Sequence, residues 1–114
     1  MEMKAQDTPD VTIAAAQFAA LGSEQRLGVL RKLVRAGPEG LSIGELGART
    51  GITGSTLTHH MKILTSAGLV TQAKRGRSII CAAVAYDDVQ ALSHFLLNEC
   101  CADSTTPCGD HEHG

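Results

Sequence analysis

Two groups of side chains in this sequence could do chemistry. The first lies near the C-terminal end, where Cys100 and Cys101 are adjacent, Cys108 follows, and His111 and His113 come beyond it. Thiolates are soft ligands and select soft ions. Three of them suit a trigonal centre such as As(III) or Sb(III), and two suffice for a methylated trivalent arsenical, whose remaining bond is to carbon. Asp110, His111 and His113 could instead complete a harder zinc or cadmium site. A thiol–disulfide switch is a further use, and idle thiols are the bland one; the acidic neighbours Glu99, Asp103, Asp110 and Glu112 would raise the thiol pKa values and weigh against reactivity. Adjacent cysteines on a helix diverge by about 100°. A shared ion therefore requires the helix end to unwind, and the spacer containing Pro107 lets Cys108 return. Cys81 alternates with Ile79 and Ala83 and reads as small packing.

The second group is Ser55, Thr56, Thr58, His59 and Lys62, with Arg75 and Arg77 further on. Short polar side chains at the start of a helix can reach base edges or phosphates, while Lys and Arg hold the phosphate backbone. Ser55, Thr58 and His59 are expected to read the major groove, and Lys62, Arg75 and Arg77 to position the backbone. The charge distribution favours that use. The net charge of −2 conceals a middle segment, residues 21–80, with nine basic and three acidic side chains, a balance of +6, flanked by ends that together carry −8. A basic middle can face nucleic acid while acidic ends stay away from it.

The elements that must position these groups follow from periodicity and punctuation. Val11, Ala14, Ala15, Phe18 and Leu21 form one apolar helical stripe after Pro9, and Gly22 ends it. Ser23 caps a second helix running to about Ala36, with Leu27, Leu30, Leu33 and Val34 inward and Arg26, Arg31, Lys32 and Arg35 outward. Gly37-Pro38-Glu39-Gly40 is a loop. Ser42 and Glu45 form a capping-box pattern that starts a short third helix ending near Thr50-Gly51. Thr53 or Ser55 can cap a fourth helix, with Leu57, Met61 and Leu64 buried and Gly68 in the left-handed position after it. Two β-prone runs, Leu69–Lys74 and Ser78–Ala83, flank Arg75-Gly76-Arg77 as a hairpin. A last helix runs from Asp87 to about Glu99, with Val89, Leu92 and Leu96 on its apolar side. The expected fold is mainly α with a β-hairpin, a winged helix-turn-helix in the order ααααββα. Residues 1–8 read as a flexible N-terminus, 9–100 as the winged domain with dimerisation helices at both ends, and 101–114 as a cysteine-containing tail. With 114 residues and only three aromatic side chains, the core is modest, and a second copy would supply missing burial.

The stretch Ala20–Ala83, including Ala20-Leu21-Gly22-Ser23-Glu24-Gln25-Arg26-Leu27, Gly51 through Lys62, Leu64 through Val70 and Arg75-Gly76-Arg77, resembles the ArsR/SmtB family of bacterial repressors. The resemblance implies a homodimer joined through its first and last helices, and effector binding that releases double-stranded operator DNA. It also implies DNA contact at Ser55, Thr58 and His59. Arsenic sensors in this family often carry Cys-x-Cys at the start of the third helix, where this chain has Leu41-Ser42-Ile43-Gly44-Glu45. The family's zinc site on the last helix would need a different spacing from that of Asp87, Asp88 and His94. Some members carry a vicinal cysteine pair and a following cysteine near the C-terminus that bind arsenite, and Cys100, Cys101 and Cys108 are similar to those.

Other classes fit less well. A small thiol reductase would need a Cys-x-x-Cys motif or a placed base, and neither is evident. A metal buffer would leave the helix-turn-helix unexplained. The N-terminus carries Glu2, Asp7 and Asp10 against Lys4, the wrong charge for a signal peptide. The longest apolar run, Ile79–Ala85, is too short to span a bilayer. A cytoplasmic, membrane-independent, non-enzymatic DNA-binding protein is the expectation.

Overall fold

The computed structural model describes residues 11–105. The elements run α1 (Val11–Ala20), α2 (Glu24–Ala36), β1 (Leu41–Ser42), α3 (Ile43–Thr50), α4 (Gly54–Ser66), β2 (Val70–Arg75), β3 (Ser78–Ala83) and α5 (Tyr86–Leu97). This is the winged helix-turn-helix read from the sequence, with one addition. The short strand β1 pairs with β3 through Leu41↔Cys81 and Ser42↔Ile80, so the sheet has the order β1-β3-β2. The hairpin pairs Val70 with Ala83 and continues to Arg75 with Ser78. Its loop is the two residues Gly76 and Arg77; Gly76 has φ 64° and Arg77 does not share a positive φ. That is the turn in which glycine takes the first central position and matches the strand twist.

Helix boundaries are set by local hydrogen bonds. The Ser23 hydroxyl accepts from the Arg26 amide at 3.2 Å. Ser42 and Glu45 form both halves of the capping box, at 3.1 and 2.8 Å. The Ser42 backbone amide first, and then its hydroxyl, hold the Glu45 carboxyl below its ordinary pKa. Helix α4 closes with Gly68 amide to Thr65 carbonyl at 3.0 Å and Leu69 amide to Leu64 carbonyl at 3.1 Å, with Gly68 at φ 79°. This paired arrangement satisfies carbonyls that the helix end would otherwise orphan, and Leu64 and Leu69 both sit in the core beside it.

The core joins α2, α3, α4 and the sheet through Val29, Leu33, Leu46, Leu57, Met61 and Leu69, with Cys81 fully buried among them. Cys81 is therefore the packing residue expected; burial pushes its thiol pKa up, against a small opposing contribution from Gln72. Two readings of buried faces need correction. On α2 the core takes Val29, Leu30 and Leu33, while Leu27 and Val34 are 44% and 50% exposed. On α1 Ala14 and Ala20 are buried, while Val11 and Phe18 remain exposed. Apolar periodicity marks a face that avoids water without saying which neighbour covers it. Leu27 and Val34 lie seven residues apart on one stripe, and with Phe18, Leu21, Val89 and Leu96 they line an open groove of about 710 Å³ between α1, α2 and α5. The last helix spans Tyr86–Leu97 rather than reaching Glu99, which leaves Cys100 and Cys101 beyond its end.

Candidate nucleic-acid interface and thiol site

Helix α4 is held on its inner side by Leu57, Met61 and Leu64 and presents Ser55, Thr56, Thr58, His59 and Lys62 to solvent. Thr53 occupies the N-cap position but makes no side-chain capping bond. The first amides of α4 are thus not capped by that side chain. The Thr58 hydroxyl donates to the Gly54 carbonyl at 2.9 Å. Its hydrogen is committed to its own helix, and its oxygen keeps lone pairs with which to accept. Arg75 and Arg77 are exposed at the tip of the wing, at the end of β2 and in the turn. All seven residues singled out for DNA contact therefore lie on the exposed surface of α4 and the wing.

One residue of this region, Arg26, departs from its expected place, and a second, His60, was missed by the sequence reading. Arg26, expected to point outward, is half-buried; its Nε donates to the Ala20 carbonyl at 2.6 Å, and its Nη1 lies 3.4 Å from His60 Nδ1. His60 is 7% exposed, and its Nε2 lies 2.9 Å from Gln25 Oε1. Burial first, and then the positive charges of Arg26 and His59, hold the His60 imidazole below its ordinary pKa. The spacing contained the signal, because His60 follows Leu57 by three residues and precedes Leu64 by four, inside the buried stripe of α4. The helix is tied to α1 as well, where Gln17 Nε2 donates to the Ala67 carbonyl at 2.9 Å.

At the other end of the domain, the Cys100 amide donates to the Leu97 carbonyl at 2.9 Å, fastening the turn to the last residue of α5. Cys101 has φ 64°, the single positive φ at a non-glycine position among the described residues. The chain has left the helix here, as a shared ion would require, and the Cys100 and Cys101 sulfurs stand 3.5 Å apart. Cys100 is a free exposed thiol, whereas Cys101 is disulfide-bonded in this structure. Cys108, His111 and His113 lie outside the described residues. No cluster of three metal-ligating side chains is present among the described residues.

Comparison with known proteins places this architecture. Residues 21–73 match a family model described as a helix-turn-helix domain. The chain is 41% identical over 69 residues to the uncharacterized HTH-type transcriptional regulator YceK of Bacillus subtilis, covering 60% of this chain and 68% of that one. An ArsR-like transcriptional regulator from Rhodococcus superposes with a TM-score of 0.69 at 26% identity, over 84% of this chain and 86% of that one. A homodimeric winged helix-turn-helix DNA-binding domain from Mycobacterium bovis, a possible ArsR-family regulator, shares the fold at a TM-score of 0.64 and 23% identity, over 100% of this chain and 93% of that one. No described helix is long and apolar enough to cross a membrane. The protein belongs to the HTH-type transcriptional regulators, with the winged fold of their ArsR members.

Proposed function

We propose that this regulator is a repressor that binds operator DNA as a homodimer and is released when As(III) or Sb(III) binds Cys100, Cys101 and Cys108. The observation that carries the effector reading is the 3.5 Å between the Cys100 and Cys101 sulfurs just past the end of α5. Two thiolate bonds of about 2.3 Å meeting at roughly 100° span that separation. Such an ion meets both sulfurs only after the Cys101 disulfide is reduced. Its seat adjoins the exposed Leu96 and Leu97 of α5. Ligation there would therefore reach the apolar surface on which a second copy is expected to pack.

The homodimer reading rests on Phe18 and Leu96, which are 40% and 66% exposed in the groove between α1, α2 and α5, and on Val11, exposed at the start of α1. Val89 is half-buried at its edge. Leu92, expected in the same interface, is 7% exposed and serves the protomer's own packing. Two linked copies place two recognition helices about 34 Å apart on an inverted repeat. The double substitution Phe18→Glu with Leu96→Glu should yield monomers in sedimentation at micromolar concentration, with operator affinity reduced at least tenfold. A monomeric wild type with full affinity would contradict the assembly.

On DNA, Ser55, Thr56, Thr58 and His59 face the major groove, and Lys62, Arg75 and Arg77 engage the phosphates. Arg77→Ala should weaken binding to all sequences alike and reduce the slope of log affinity against log salt by about one. Thr58→Ala should instead change which base is preferred. An Arg77→Ala protein with unaltered affinity and slope would remove the wing from the interface.

The test of the whole reading is a titration of the reduced protein–operator complex with arsenite, methylarsenite, antimonite, zinc and cadmium, followed by fluorescence anisotropy. Release by arsenite or antimonite at concentrations where zinc and cadmium leave the complex intact is expected. The disulfide at Cys101 favours one second reading, a thiol-redox response, in which two electrons and two protons interconvert the bonded and reduced forms. That reading predicts release by diamide without any metalloid, and indifference of the reduced complex to arsenite.

A further inference from the structure

The buried His60 is not explained by DNA contact, by the thiol site or by apolar packing. It lies on the inner side of α4, and its two ring nitrogens meet two different side chains from the start of α2. Arg26 can only donate, so Nδ1 of His60 must be the acceptor at 3.4 Å. The ring proton then resides on Nε2, which donates to Gln25 Oε1 at 2.9 Å. This assignment also settles the orientation of the Gln25 amide, since only its oxygen can accept. Arg26 in turn is fastened to the last residue of α1 through the Ala20 carbonyl. One neutral imidazole thereby joins the ends of α1 and α2 to the middle of the recognition helix.

We propose that His60 is a positioning residue for DNA binding: the uncharged imidazole, clamped between Gln25 and Arg26, fixes the seating of α4 on α2, and its protonation releases that clamp. The proposal rests on the reading of α4 as the recognition helix. A proton on Nδ1 would point a second donor at the Arg26 guanidinium and set two positive charges against each other across the 3.4 Å that separates the two groups. The groups acting on the imidazole are few. Helix α2 supplies Arg26, α4 itself supplies His59, and α1 has no titratable side chain between Val11 and Ala20. Arg26, His59 and Lys62 also line a cleft of about 530 Å³ beside α1 and α4, so moving Arg26 would alter the charged surface next to the proposed phosphate contacts as well as the helix seating.

The sign of the pH effect separates this role from ordinary electrostatics. Ordinary electrostatics makes a protein more positive as pH falls and so strengthens its binding to DNA. Release of the His60 clamp weakens binding in acid. The experiment begins by selecting a duplex from a random pool with the wild-type protein at pH 7.5, then measures affinity for it at fixed ionic strength from pH 7.5 to 5. Wild type should lose at least tenfold in affinity below the ordinary imidazole range. His60→Asn keeps an acceptor oxygen near the Nδ1 position and cannot titrate; it should bind within about threefold of wild type at pH 7.5 and lose the acid-induced weakening. His60→Leu should bind at least tenfold more weakly at every pH while keeping its helical circular dichroism. If His60→Leu fails to fold, the comparison of wild type with His60→Asn still decides. An acid-induced loss identical in wild type and His60→Asn, or acid strengthening in both, overturns the proposal. Failure of the wild type to select any duplex at pH 7.5 would instead overturn the DNA-binding reading beneath it.

Discussion

Adding a single methyl group at Gly40 should cost this domain more than about 4 kcal/mol, enough to lower its melting temperature by roughly 15 °C. Gly40 has φ 72°, and a Cβ there would stand 2.3 Å from the Cys81 carbonyl oxygen and 3.0 Å from its carbon. Both obstacles are backbone of β3, which is held between β1 and β2 and has nowhere to go. The clash would push Leu41 and Ser42 off β3, and Ser42 is also the N-cap of α3. A single displacement thus disturbs the sheet edge, the first helix of the helix-turn-helix and the buried Leu41 together. Gly51→Ala is the control. Gly51 has a similar φ of 75°, but a Cβ there would meet no atom within 4 Å, so only the left-handed backbone penalty of about 1–2 kcal/mol applies. Thermal denaturation of the two variants should differ by about 10 °C. Equal melting temperatures would mean that the β1–β3 edge yields more easily than its geometry implies.

The second large effect concerns the effector. Changing Cys100, Cys101 or Cys108 to Ser should leave operator affinity nearly intact, because these residues lie outside α4 and the wing. The response to metalloid should suffer instead, since a ligand shifts an equilibrium only through its different affinity for the two states. A hundredfold drop in DNA affinity on metalloid binding corresponds to a coupling of about 2.7 kcal/mol. Losing one of three thiolates should remove most of it. With arsenite, all three substitutions should leave the protein on DNA. With methylarsenite, Cys108→Ser should be tolerated while Cys100→Ser and Cys101→Ser are not. Normal release of the triple variant by arsenite would place the sensor elsewhere.

Stability should also depend on pH through the buried imidazole. The folded state holds His60 below its ordinary pKa, so in that window the unfolded chain binds more protons than the folded one. The contribution is complete above the ordinary imidazole value and is lost as pH falls toward the depressed one. His60→Asn should flatten that part of the stability profile.

Much of this fold was legible because its signals are local. Ser23, the Ser42–Glu45 box and Gly68 each act within a few residues of themselves, and each occupies its expected place. The exposed positions of Ser55, Thr58, His59, Lys62, Arg75 and Arg77 follow from the same local rules, since helix period and hairpin turn decide which side faces out. The adjacency of Cys100 and Cys101 was likewise evident, though the approach of their sulfurs comes with the left-handed backbone at Cys101, beyond the end of α5.

The order of elements, the caps at Ser23 and Ser42 and the outward polar residues of α4 and the wing were thus written in the chain, because all of them arise from interactions between near neighbours. Three other features needed long-range packing. The first is the pairing of Leu41 and Ser42 with a strand about forty residues away, which no two-residue pattern announces. The second is the division of the apolar stripes between the core and an open groove. Val29 goes inward and Leu27 and Val34 outward, because amphipathicity fixes a side and only packing chooses its neighbour. The third is the gathering of Gln25 and Arg26 around His60, which turns a polar residue on an apolar stripe into a satisfied one, because a buried imidazole needs partners that only a long-range contact can supply.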